Sequence, residues 1–509
     1  MSEQNQFVKL PKGPEPYWRE STSLPSFSTL KEDTEADVCI VGAGITGITT
    51  AYQLVQDGYR IVLLDAGQIL NGTTGHTTAK VTAQHGLIYD ELIHHIGQEK
   101  AKLYYEANND ALHYIRDLVN QKHMECDFSD QDAMIYATTE QENKKVLLEM
   151  DAYHKLGITA DLNEKVPFSI PTKSVLAMKN QAQYHPLQYL KYLVDTIIEK
   201  GGRIYEHSVA TDVEESPELR VVTKNGSKIK CKHVIACSHF PFYDGKGFFF
   251  TRMHAERSYV VAAKTDKALQ GGMYLSAGQP TRSLRSVTIN GDKYLLIGGD
   301  GHKTGQGQDT LKHYQALKSF GEEVFGIKDI PYRWSAQDLY TLDKIPYIGR
   351  ITSGKSNIFI ATGYRKWGMT NGTAAALLLQ DLVNEKENKY EDLFTPSRFV
   401  ADPSLKKFFT TNMDVASHLV EGKLDRPTKT ADELGLDEGG VVSLNGRRAG
   451  VYKDDKGELH CVDTTCTHLG CEVEWNHGDR SWDCPCHGSR FSIHGDVLEG
   501  PADKPLEKL

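Results

Sequence analysis

Two short boxes near the C-terminus carry the densest chemistry in the chain. Cys466-Thr467-His468 reads C-x-H, and Cys484-Pro485-Cys486-His487 reads C-x-x-H. Two thiolates and two imidazoles can hold the two irons of a [2Fe–2S] cluster, with both histidines on one iron. Tetrahedral zinc competes for such donors. With Cys471 and Cys486 there are six candidate ligands, too many for one zinc and awkward for two. His460, His477 and His494 lie nearby but fit neither box, and read as surface histidines. Five of the nine cysteines fall between Cys461 and the end. The other four (Cys39, Cys126, Cys231, Cys237) are scattered, unlike the even spacing of a secreted disulfide scaffold. That distribution predicts a reducing, cytoplasmic setting with one special C-terminal module.

A second chemistry sits near the N-terminus. Gly42-Ala43-Gly44-Ile45-Thr46-Gly47 follows the apolar run Val38 to Val41 and opens a stretch of helical spacing from Ile45 to Asp57. Glycines let the backbone turn tightly against a pyrophosphate, and the helix N-terminus favours its charge. A second buried strand, Arg60 to Leu64, ends at Asp65-Ala66, where the carboxylate can accept from ribose hydroxyls. Gly42, Ala43, Gly44, Thr46, Gly47, Asp65 and Ala66 are therefore the expected dinucleotide residues. No second such motif follows; Gly298-Gly299-Asp300-Gly301 lacks the spacing.

Four further stretches resemble the FAD-dependent oxidoreductases of the D-amino-acid oxidase class, over about the first 400 residues. Asn71 to Ala79 resembles the loop that lies along the flavin in that family, which implies cofactor contacts at Thr73, Thr77 and Thr78. Val234-Ile235-Ala236-Cys237-Ser238 resembles its "AxG" strand end, with serine in the usual glycine position. Asp343 to Gly349 resembles a "D-x-x-P-x-x-G" turn. Ala361-Thr362-Gly363-Tyr364 and Gly368-Met369-Thr370-Asn371-Gly372 resemble the approach to a helix whose N-terminus faces the flavin, implicating Gly363, Gly368, Met369 and Thr370. Positive partial charge there stabilises a reduced, anionic flavin.

The last ~80 residues resemble Rieske proteins. Carried over position by position, the resemblance makes Cys466, His468, Cys484 and His487 the iron ligands and pairs Cys471 with Cys486 in a disulfide between the cluster loops. Gly500-Pro501-Ala502 resembles the covering proline loop. Ser489 matches a serine that hydrogen-bonds a cluster sulfide, whereas Phe491 stands where high-potential members have tyrosine. The two histidine edges are expected to face the electron acceptor.

The elements must position these sites. The 509 residues are 39% hydrophobic and 25% charged, enough for several cores. The net charge of −10 argues against nucleic acid, and no apolar run is long enough for a membrane span. Most of that charge lies in 428–509, with nine Lys and Arg against sixteen Asp and Glu. The expected fold is an α/β Rossmann-like FAD-binding domain (37–88, 173–239 and 335–400) with an α+β antiparallel-sheet substrate domain (89–172 and 240–334). An irregular N-terminal arm (1–36) precedes them. A crossing linker (401–427), marked by Pro403 and Pro427, leads to an all-β Rieske domain (428–509) with a hairpin at Asn445-Gly446.

The resemblance implies FAD and a [2Fe–2S] cluster as cofactors, and a small amine or amino-acid-like substrate. Electrons would leave singly through the cluster to an acceptor protein or a quinone. His76, Lys80, Arg252, Tyr259, Lys366 and Trp367 are the expected residues of the catalytic site. The alternative is an electron-transfer or redox-sensing protein whose flavin takes electrons from a partner.

Overall fold

The computed structural model describes residues 8–244, 247–267, 269–289, 291–307, 309–398, 401–424 and 427–509. The start of the expected arm (1–7) and part of the expected linker (425–426) lie outside the described residues.

Short, mostly apolar strands build the first sheet because both of its faces are covered at the centre. Val38–Val41, Ile61–Leu64 and Arg203–Tyr205 lie parallel on one side, His233–Ala236 and Ile358–Thr362 on the other, and Tyr347–Arg350 closes the edge antiparallel. Helices Ile45–Gln56, Pro186–Glu199 and Gly368–Val383 pack together beside it in one core. Pro186 sits in the first turn of its helix, where it costs no hydrogen bond.

The second sheet has nine strands. Asp329–Thr341, Met253–Lys264, Asp292–Lys303 and Arg282–Ile289 run antiparallel, followed by Met273–Ser276, Ser129–Ala137, Ser174–Gln183 and Lys80–Val81, with Ala160–Asn163 beside Ser174–Gln183. Three of these strands lie wholly or partly inside the boundaries drawn for the FAD-binding domain: Lys80–Val81, Ser174–Gln183 and residues 335–341. They belong to the other sheet because their partners are remote in sequence, which strand periodicity does not reveal.

The C-terminal module is all β. Glu438–Leu444, Arg447–Lys453 and Leu459–Val462 form one antiparallel sheet, and Glu474–Asn476, Ser481–Asp483, Arg490–Phe491 and Val497–Glu499 another. Lys508 bridges back to Val462 beside the first sheet. Most of the expected linker is helical: a helix spans Ala401–Leu424. Pro403 stands in its first turn, where proline is tolerated, and Pro427 lies beyond its end. The helix is tied to both modules, through Asp414 to Lys303 (2.9 Å) and through Lys423 to Glu472 (2.5 Å).

The arm is likewise not irregular throughout. A turn of helix at Tyr17–Glu20 buries Tyr17 and Trp18, and the Trp18 indole N–H donates to Thr77 O (2.8 Å).

Candidate functional site

The glycine turn leaves Gly42 at φ +102°, where a Cβ would lie 2.5 Å from the Cys237 carbonyl oxygen. Only glycine fits there. Helix Ile45–Gln56 opens at Gly44, which offers no side chain of its own; Thr74 Oγ1 accepts the Ile45 N–H (3.0 Å), and Asp65 ties the turn to the second strand. Its two oxygens accept the N–H groups of Ala43 and Gly67, each at 2.9 Å. Burial pushes the Asp65 carboxyl up, and those two N–H groups oppose it. Ala66 is exposed beside it. Thr46 Oγ1 donates to the Tyr364 hydroxyl (3.0 Å), joining the glycine turn to the loop that begins at Gly363.

The loop 71–79 is fastened at every turn. Thr73 Oγ1 donates to Gln337 O (2.9 Å), His76 Nδ1–H to Gly72 O (2.9 Å), and Thr77 Oγ1 accepts from Ala79 N (2.9 Å). Arg285 donates to Thr78 O (2.7 Å), and the Trp334 indole to His76 O (2.8 Å). Burial holds His76 below the ordinary histidine range. On the far side, helix Gly368–Val383 begins without a side-chain cap. Met369 accepts from Tyr184 Oη (3.1 Å), and Thr370 donates to Thr82 O (2.9 Å). Asn371 Oδ1 is buried in the first turn with no partner among the described residues. An uncapped helix start, a glycine cradle and an orphaned acceptor fit a bound FAD. These residues would hold it.

The candidate catalytic residues divide. Lys366 and Trp367 lie in the loop before that helix, and Trp367 stacks on His85 at 4.9 Å. The sequence did not single out His85. It is fixed by Tyr104, which donates to Nδ1 (2.7 Å), and by its own Nε2–H to Thr82 O (2.9 Å). Three others have structural partners. Lys80 donates to Tyr274 O (2.8 Å), Arg252 donates to Pro396 O (2.8 Å) and lies over the Tyr347 ring, and Tyr259 donates to His302 (2.8 Å). Tyr259 points to the opposite face of its strand from Val260, which packs in the flavoprotein core.

In the C-terminal module, Cys466 and Cys484 are hydrogen-bonded to each other, and the His468 and His487 rings meet edge to face at 5.1 Å. Burial holds both imidazoles below the ordinary range, in the neutral form that ligates metal. Neither ring has a hydrogen-bond partner among the described residues. Cys471 and Cys486 are joined in a disulfide that links the two loops. Ser489 hydrogen-bonds to Cys466 and accepts from Ala502 N (3.0 Å), so the proline loop is held against the donors. Two thiols and two neutral imidazoles converging at one place fit a [2Fe–2S] cluster.

The histidines do not point outward, as the sequence led us to expect. Phe250 lies against both rings, at 6.3 Å from His468 and 5.8 Å from His487, and Phe240 against His468. These phenylalanines belong to the flavoprotein segment that follows strand His233–Ala236. The cluster loop meets the nine-stranded sheet as well. Gly488, at φ +81°, would place a Cβ 2.5 Å from Ala255 Cβ, and its carbonyl accepts from Gln337 Nε2 (2.9 Å). Gln337 thus touches the loop 71–79 with its backbone and the cluster loop with its side chain. Around this contact Arg257 reaches Asp479 (3.2 Å) and Glu499 (3.3 Å), while Arg490 reaches Asp483 and Glu499 (3.0 Å each).

Residues 37–382 match the family described as FAD dependent oxidoreductase (DAO), and residues 427–509 match the Rieske [2Fe-2S] domain. The Rieske 2Fe-2S iron-sulfur protein YhfW of Bacillus subtilis (strain 168) is 53% identical over 498 residues, covering 98% of each chain. Gamma-glutamylputrescine oxidoreductase of Escherichia coli (strain K12) is 24% identical over 74% of this chain and 90% of that protein. Glycine oxidase from Geobacillus kaustophilus superposes with a TM-score of 0.62 at 17% identity, over 72% of this chain and all of that one. L-proline dehydrogenase from P. horikoshii superposes at 0.59 and 18%, over 73% and 98%. These two share the fold. No helix among the described residues is long and apolar enough to cross a membrane. The chain belongs to the FAD-dependent oxidoreductases of the DAO family and carries a C-terminal Rieske domain, and so binds FAD and a [2Fe–2S] cluster.

Proposed function

We propose that this chain oxidises a small amine or amino-acid-like compound and passes the electrons singly, from FAD through the [2Fe–2S] centre, to an acceptor protein or a quinone. The observation that carries this reading is a residue that touches both loops: Gln337 accepts from Thr73 of the loop 71–79 and donates to Gly488, beside His487. The FAD supplies two-electron chemistry and the cluster one-electron chemistry.

The chain's own residues have the following parts. Gly42, Gly44 and the first amides of helix Ile45–Gln56 hold the pyrophosphate, Gly47 lets that helix pack onto the Gly42 carbonyl, and Asp65 holds the ribose side. Thr73, Thr77 and Thr78 hold the loop along the flavin, and Gly363, Gly368, Met369 and Thr370 bring the second helix start to it. Lys366 and Trp367, backed by His85, form a wall of the substrate site. Cys466, Cys484, His468 and His487 ligate iron, and the Cys471–Cys486 disulfide keeps their loops together. Phe240 and Phe250 exclude water from the histidine edge. The relatives named gamma-glutamylputrescine oxidoreductase and glycine oxidase support an amine or amino acid as substrate.

The test mixes the holoenzyme anaerobically with a panel of amines and amino acids, following flavin bleaching by absorbance and the cluster by EPR. The expected result is flavin bleaching followed by appearance of the reduced cluster. Bleached flavin with a cluster that stays oxidised overturns the relay. No bleaching by any amine overturns the substrate reading.

A further inference from the structure

Glu256 and Asp338 stand directly opposite each other on paired antiparallel strands, so their side chains share one face of the nine-stranded sheet. Strand alternation identifies that face. On the strand Asp329–Thr341, Trp334 donates its indole N–H to His76 O, so the even-numbered residues look toward the loop 71–79. The odd-numbered neighbours Arg257 and Gln337 point the other way, to the C-terminal module. The acid pair therefore lies on the flavin side, where Lys366 also arrives. A Cβ on Gly301 would stand 2.9 Å from Lys366 Nζ, so the lysine stretches across the sheet over that glycine.

The charges on this face do not balance internally. Asp338 is only 6% exposed, yet its carboxylate has neither a hydrogen bond nor an ion pair among the described residues. Glu256 is engaged by His254 Nε2–H (3.3 Å) and by the Tyr340 hydroxyl. Lys366 is not within ion-pair distance of either acid. A buried carboxylate without a partner is unfavourable, and a cation brought to it removes the penalty.

We infer that Glu256 and Asp338 form a subsite for a second, distal ammonium group of the substrate, so that the chain takes diamine-class compounds in preference to monoamines. This rests on the reading that an amine is oxidised at the neighbouring loop. Trp367, stacked on His85, stands at the start of helix Gly368–Val383, and the acid pair would hold the far end of the substrate. Burial pushes the Asp338 carboxyl up to about 7, with Lys366 opposing and Glu256 adding to the shift; Arg257 and Glu499 act from the module side of the sheet. Asp338 must be ionised to hold the ammonium, so diamine binding strengthens as pH rises through this range.

The experiment is equilibrium binding of 1,4-diaminobutane and of 1-aminobutane to the oxidised holoenzyme under anaerobic conditions. The expected result at pH 8 is diamine binding at least about tenfold tighter, the equivalent of one good charge-assisted contact. Asp338→Asn and Glu256→Gln each lower diamine affinity about tenfold and leave the monoamine unchanged. Shifting wild type from pH 8 to pH 6 weakens the diamine alone. Equal affinity of the two amines for wild type overturns the subsite, as do variants that weaken both amines alike. Flavin bleaching by monoamines without diamine preference overturns the subsite and leaves the oxidase reading intact. Diamine preference without bleaching by any amine overturns the oxidase reading and leaves a diamine-binding site.

Discussion

Arg257→Met is the sharpest probe of how the Rieske module is held. Arg257 is almost fully buried and reaches Asp479 at 3.2 Å and Glu499 at 3.3 Å, with Ser335 completing the contact. Arg490, on the module side, shares both acids and also holds Asp483. Two guanidinium groups thus face three carboxylates in wild type, and one faces three in the variant. Removing one partner of a buried pair costs about 3–5 kcal/mol, because the remaining charge is stranded away from water. Since 1.4 kcal/mol is tenfold, even the lower figure shifts the balance between docked and undocked module by a factor of about 100. Arg490 stays inside the module, so the module itself remains folded and its cluster EPR signal is retained. Burial disfavours the ionised forms of Asp479 and Glu499, but Arg257 and Arg490 hold both low, Glu499 at about 2. Depressed carboxyl values add stability at neutral pH that is lost as pH falls through the folded-state value. The variant, with those values moved toward ordinary, undocks at a higher pH than wild type. The assay is hydrogen exchange read on peptides covering 333–341 and 478–491. Faster exchange in both, together with slower cluster reduction, is expected. Unchanged exchange in both peptides refutes the claim that this network holds the two sites together.

Two further outcomes are expected. Phe491→Tyr places a hydroxyl at a fully buried position beside the cluster loops and adds a donor toward cluster sulfur. The potential measured by protein-film voltammetry rises within the Rieske window of about −150 to +300 mV, and an unchanged or lower value refutes it. Burial, reinforced by Arg285, lowers Lys80 to about 7. The unfolded chain therefore binds this proton more tightly than the folded one between about pH 7 and the ordinary lysine value of about 10.4, and wild type gains stability relative to Lys80→Met as pH rises through that window. Urea unfolding at pH 7 and pH 9.5 checks the sign; an equal difference at both pH values refutes it.

What was legible in the sequence was local. The glycine turn, Asp65 and the two cysteine–histidine boxes are contiguous or nearly so, and their chemistry follows from residue type and spacing. The strands beside them are apolar runs whose burial follows from composition. What was not legible depends on partners remote in sequence. Glu149 accepts the backbone N–H groups of Ile88, Tyr89 and Asp90 at 2.9–3.0 Å, and nothing in its own helix announces that role. His85 matters because Trp367, far along the chain, stacks on it. Lys80 and Arg252 carry the right chemistry for a site, but backbone carbonyls from distant strands and loops hold them. The crossing helix was hidden by its prolines, which mark its ends and do not break it.

The same logic explains why the two faces of the nine-stranded sheet escaped notice although their residues are adjacent. Glu256-Arg257 and Gln337-Asp338 are neighbours in sequence and partners across two strands in register. Alternation sends Glu256 and Asp338 to one face of the sheet, and Arg257 and Gln337 to the other. A one-residue slip of either strand would exchange the faces. It would put a guanidinium or an amide on the face of the proposed amine subsite, and an acid where the acidic Rieske module docks. Register here therefore carries more than packing. It decides which of two adjacent polar side chains faces the loop 71–79 and which meets the C-terminal module. The sheet is one wall to which both the loop at Thr73 and the loop at Gly488 are fastened through Gln337, and the proposed relay crosses at this wall. On the proposed relay, histidine edges that face inward have a reason: the first electron transfer takes place with the module docked on this wall, where Phe240 and Phe250 cover the histidine edge.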